Sequence, residues 1–166
     1  MSARHSKKTS ETIRSLLTAL DQSFNHRTWH GTNLCGSIRG LTPRQALWRP
    51  APRRHNIWEE VVHAAYWKYA VRQRLVGGKR GEFPLKGSNW FASPKSAGAR
   101  EWNEARKLLQ QTHEALLRAI AEFPPTRLHL PAHGSKWTAF DSILGVAYHD
   151  IYHAGQIQLL KRLQKA

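Results

Sequence analysis

At 166 residues, the chain has room for one domain with a sizeable core, and its single cysteine, Cys35, excludes an internal disulfide. No apolar run approaches the length of a membrane span, and the basic, polar stretch from Met1 to Ser10 lacks the apolar segment of a signal peptide, so a reducing, cytoplasmic setting is expected. The net charge of +15 is uneven: residues 1–100 hold 18 Lys and Arg against 5 acids and residues 101–166 hold 8 against 6, a bias that suits nucleic acid, an anionic surface or acidic small molecules without choosing among them.

Residues 1–9 read as a flexible basic arm and residues 10–166 as one helical domain. A first amphipathic helix is expected from about Ser10 to Phe24. Ile13, Leu16, Leu17 and Leu20 recur at helical spacing, and Ser10 is placed to cap the start. A second helix is expected over about His26 to Arg39. His30, Leu34, Ile38 and Leu41 form one stripe there, which turns His30 inward with the leucines. Thr42-Pro43 has the form of a cap followed by proline at the first helical position.

The next helix is expected from about Asn56 to Val76. Asn56 and Glu59 have capping-box spacing, and Gly77-Gly78 ends it. His63 lies two turns in, on the inward side. Residues 77–99 hold several glycines, Pro84 and Pro94, and form a long irregular connection. Loops of that length are usually functional or disordered, and Trp90-Phe91 suggests that part of this one packs down as the rim of a pocket. A third long helix is expected from about Ala97 to Phe123, with a seam of Trp102, Ala105, Leu109, Thr112, Leu116, Ile120 and Phe123. Pro124-Pro125 stops it. The last helix runs from about Trp137 to Lys165, with Thr138 and Asp141 again at capping-box spacing. No segment alternates in the manner of a strand, so the expected class is an all-α bundle.

The last helix carries the chemistry. His149 and His153 are four residues apart, so both imidazoles leave one face a turn apart. Gly145, a turn earlier on that face, leaves space beside them. Bundles build metal sites from facing helices, and His63 is the natural third ligand. Three histidines leave an open position, the pattern of catalytic zinc. A di-iron site is excluded: Glu60-Val61-Val62-His63 is one E-x-x-H, but Val146 and Asp150 supply no second. Cys35 has nothing around it that marks a nucleophile and reads as a buried structural thiol.

The runs His55-Asn56-Ile57-Trp58-Glu59 and His63-Ala64-Ala65-Tyr66-Trp67, with Gly145 and the stretch from Tyr148 to Ile157, resemble the DinB/YfiT-like superfamily. Trp29-His30-Gly31, Leu41-Thr42, Trp90 and Trp102 fit the same resemblance, which covers nearly the whole chain. It implies a four-helix bundle, here with an extra N-terminal helical segment. It also implies a homodimer and a divalent metal ion, zinc or nickel, on His63, His149 and His153. Similar proteins include metal-dependent transferases that join low-molecular-weight thiols to electrophiles. The expected activity is therefore a thiol S-transferase, or a hydrolase, acting on a small molecule.

Other residues have two readings each. Glu59 is a general base beside the metal or the partner of a helix cap. Asp150 orients a ligand imidazole or is an ordinary polar residue of the bundle. Tyr152 and Gln156 meet substrate or bond between helices, and His30 belongs to the site or to the core. His55, His113, His129 and His133 read as structural or exposed, His5 and His26 as solvated. The alternative function is a basic stress-response or nucleic-acid-binding protein with a structural metal. Most aromatics fall at helix-packing positions rather than among basic residues, which disfavours it.

Overall fold

The computed structural model describes residues 10–78, 81, 83–96 and 98–165; the basic arm expected over residues 1–9 lies outside them, as does His5. Helix makes up 62 % of the described residues, with no strand among them, so the all-α expectation holds. The sole ladder contact among the described residues is an isolated bridge between Pro131 and Thr138.

Among the described residues six α-helices follow in order: α1 Glu11–Phe24, α2 Leu34–Ile38, α3 Pro43–Leu47, α4 Ile57–Val76, α5 Ala99–Ala121 and α6 Ala139–Leu163. The long helices α1, α4, α5 and α6 form the bundle, because α4 packs on both α5 and α6, and α1 closes the ring against α5 and α6. The short helices α2 and α3 lean on α6 and α4.

Capping chemistry sets the helix starts. The Ser10 hydroxyl accepts from Ile13 N at 3.3 Å, and Thr42 and Gln45 exchange side chain and backbone bonds at the head of α3. Asn56 accepts from Glu59 N, and Thr138 from Asp141 N. At the far end of α4, Gly77 adopts φ 66°, the left-handed conformation that stops a helix at little cost with glycine. Inward stripes then hold the bundle. Ile13, Leu16, Leu20 and Phe24 of α1 are all buried, and each such side chain contributes about 1.5–3 kcal/mol on burial. The α5 seam is buried from Trp102 to Ile120, with Thr112 half-buried, and Phe123 is buried just past the helix end.

The second expected helix is largely absent. Only Leu34–Ile38 is helical, and residues 27–33 are turns and coil. Gly31 sits at φ 109°, outside helical space, and the Thr28 hydroxyl donates to Gly31 O. Asn33 then starts α2 afresh, its side chain accepting from Gly36 N while it donates to His26 O at 2.6 Å. With the helix goes the stripe: His30 is exposed, so it belongs neither to the core nor to a buried site.

Candidate metal centre

Helices α4 and α6 bring three imidazoles together. His63 Nε2 and His153 Nε2 each lie 3.0 Å from His149 Nε2. His63 and His153 are buried and His149 is half-buried. Their ligand atoms form a group, all within 4.8 Å of one another.

The outer nitrogens explain why the inner ones face each other. His63 Nδ1 donates to the backbone carbonyl of Asn89 at 2.8 Å. A carbonyl only accepts, so the proton of neutral His63 is on Nδ1 and the lone pair on Nε2. His153 Nδ1 donates to Glu60 Oε2, which places its lone pair on Nε2 as well. His149 Nδ1 is buried and has no partner, so nothing anchors its outer edge. Even if His149 carried its proton on Nε2, it could donate to only one of its two neighbours. A group of converging lone pairs with too few protons has the donor set that could hold a cation. Burial keeps His63 and His149 neutral. It pushes the His63 pKa down to about 4, opposed by the Asn89 bond and helped by His153. It pushes His149 down to about 3, reinforced by His153 and His63.

Glu60 was not foreseen in this role. It lies one turn before His63 on α4, on the same face, and reaches across to α6. A carboxylate behind a ligand imidazole fixes its tautomer and raises its basicity. The pairing that sequence reading offered to Asp150 falls to Glu60 instead. Asp150 accepts from Lys68, and both side chains are 0 % exposed. Helical geometry gives the reason: a residue next in sequence to His149 points about 100° away from it.

The loop before α5 closes the other side of the site. Asn89 holds φ 66° and uses both of its oxygens: the carbonyl on His63 and Oδ1 on Trp67 Nε1 at 2.9 Å. Trp90 stacks on His63 at 3.8 Å and on His55 at 3.7 Å. Phe91 is buried near Tyr66 and Phe83. Ser93 N donates to Glu59 Oε1, and Asn56 Nδ2 donates to Ser93 Oγ. The expectation that Trp90-Phe91 packs down as a rim therefore has a structural basis in the histidine stack.

Glu59 sits outside the ring of imidazoles. Arg49 donates to both of its oxygens and His55 Nδ1 bonds Oε2 at 2.9 Å. Burial alone would raise its pKa, but the bonds from Arg49, His55 and Ser93 N outweigh that and hold it at about 2. A carboxylate so stabilised is a weak base, and its side chain is not turned back to the cap. Gln156 Nε2 donates to the Tyr152 hydroxyl at 3.0 Å, and neither residue bonds a ligand imidazole. Of the remaining histidines, His113 is buried and stacks on Phe24 at 3.7 Å. Burial pushes the Cys35 thiol up to about 11, which disfavours its thiolate.

A helical bundle with three convergent histidines on two facing helices defines a metal-binding class of protein. The DinB superfamily model matches residues 26–157, and the chain belongs to that superfamily. Comparison with curated proteins and with solved structures gave no match.

Proposed function

We propose that this protein is an enzyme that uses a divalent metal ion on His63, His149 and His153 to join a low-molecular-weight thiol to a small electrophile. The observation that carries the reading is the convergence of three Nε2 atoms while two Nδ1 protons are committed to Asn89 and Glu60. A +2 ion among neutral imidazoles lowers the pKa of a thiol or water beside it. The chain supplies the rest. Asn89 and Glu60 aim two ligands, and Trp90 covers the His63 face and limits water there.

The reaction can be tested with 1-chloro-2,4-dinitrobenzene and a panel of thiols on zinc- and nickel-loaded protein. The sulfur–carbon bond forms, chloride leaves and the thiol proton goes to solvent. Turnover should require the metal, cease on chelation and return on its addition. A rate over the whole panel that is equal with and without metal would contradict the reading.

A homodimer belongs to the same proposal. The tryptophans give it partial support, since Trp58 and Trp102 are buried while Trp29 and Trp137 are exposed. The better support is on α6, whose outer side carries Tyr148, Ile151, Tyr152, Leu159 and Leu163, all exposed, at helical spacing around Gly155. Apolar stripes of this kind mark interfaces, and Gly155 has open space where a Cβ would point.

A further inference from the structure

Gly145 is unexplained by packing. It lies mid-helix in α6, where glycine weakens a helix relative to alanine. A Cβ built there meets nothing within 4 Å, so no neighbouring helix requires its absence. What it borders is a cavity of about 370 Å³ between α4 and α6 that reaches His149. Trp67, Val71, Trp137 and Val146 supply apolar walls. The Trp67 ring is fixed there by its bond to Asn89. Ser142, 9 % exposed, also lines the cavity, and its Oγ has no hydrogen-bond partner. A helical serine can bond back to its own backbone; this one does not. Arg74 and Asp141 at the cavity are opposite in sign, and Asp141 already accepts from Thr138. The lining therefore favours an uncharged body over an ion.

We propose that this cavity is the subsite for a small, planar, uncharged apolar molecule with one hydrogen-bonding group for Ser142, and that Gly145 sets the size it admits. The inference rests on the proposed enzyme reading, for which the cavity would hold the electrophile beside His149. A Cβ at position 145 would border the cavity and meet no atom within 4 Å.

The experiment is fluorine NMR titration of 4-fluorobenzyl alcohol into the zinc-loaded full chain, with zinc content measured on each sample. The wild type should bind the probe. Gly145→Leu should weaken binding roughly tenfold or more, as steric exclusion from an apolar pocket does. Gly145→Ala should weaken it less, and Ser142→Ala roughly threefold to tenfold. Zinc content should be unchanged in all three. Gly145→Ala also favours the helix, so it guards against a leucine variant that fails to fold. Absence of binding to the wild type, or wild-type affinity in both Gly145 variants, would overturn the proposal. Zinc bound without the probe defeats the subsite and spares the metal reading. Probe bound in a Gly145-dependent way to a chain that takes no zinc defeats the metal reading and spares the subsite.

Discussion

The backbone carbonyl of Asn89 accepts a 2.8 Å hydrogen bond from Nδ1 of His63. A loop residue 26 positions away from a helical histidine thus sets that histidine's tautomer. Asn89 does so from the left-handed conformation, which asparagine tolerates better than most residues and alanine does not. Asn89→Gly should keep the carbonyl in place and lose only the Trp67 bond. Asn89→Ala should strain the turn by about 1–2 kcal/mol and weaken metal binding more than glycine does. Competition titrations against a chromophoric chelator would measure both. Equal affinities for wild type and Asn89→Ala would show that the loop does not orient His63.

Glu60→Gln removes the charge behind His153 while nearly keeping the shape. Loss of such a partner costs about 10–100-fold in metal affinity, and that range is expected here by the same titration. Thermal melts of the metal-free protein serve as the control, because a purely structural Glu60 would shift the melt and leave the affinity alone.

Lys68 and Asp150 make a different prediction, of stability rather than metal binding. Both are fully buried. Lys68→Met leaves an unpaired buried carboxylate and should cost about 3–5 kcal/mol in urea unfolding. Lys68→Met with Asp150→Leu should recover much of that loss, because removing both charges is often neutral. A double variant less stable than the single one would mean the pair does more than balance charge.

Glu59 gives the pH dependence. Its folded pKa, about 2, lies below the ordinary 4.5. The unfolded state therefore binds the proton first as pH falls, so the stabilisation is present above about 4.5 and is lost as pH drops through about 2. Chemical unfolding at stepped pH should show wild type losing more stability over this window than Glu59→Gln. Parallel curves would place the acid sensitivity elsewhere.

The bundle was legible because α1 and α5 carry 3.6-residue stripes and because α1, α4 and α6 open on strong caps at Ser10, Asn56 and Thr138. The His149–His153 pair was legible for the same reason: helical spacing fixes relative direction. The stripe through His30 misled because it took no account of Gly31 and its positive φ. Glu60 was seen only as half of a di-iron motif. Its actual partner is 93 residues away, and local spacing carries no trace of that. Lys68 and Asn89 were missed on similar grounds. A buried lysine reads as a surface charge until its aspartate is placed, and a loop carbonyl has no side-chain signature.

Whether three imidazoles from α4 and α6 hold one divalent ion is decided by zinc analysis with X-ray absorption on reconstituted wild type, beside His63→Ala, His149→Ala and His153→Ala. One zinc per wild-type chain, nitrogen neighbours at about 2.0–2.1 Å, and sub-stoichiometric zinc in each folded variant are expected. A His149→Ala protein that keeps one zinc per chain and the wild-type absorption spectrum would contradict a three-imidazole site.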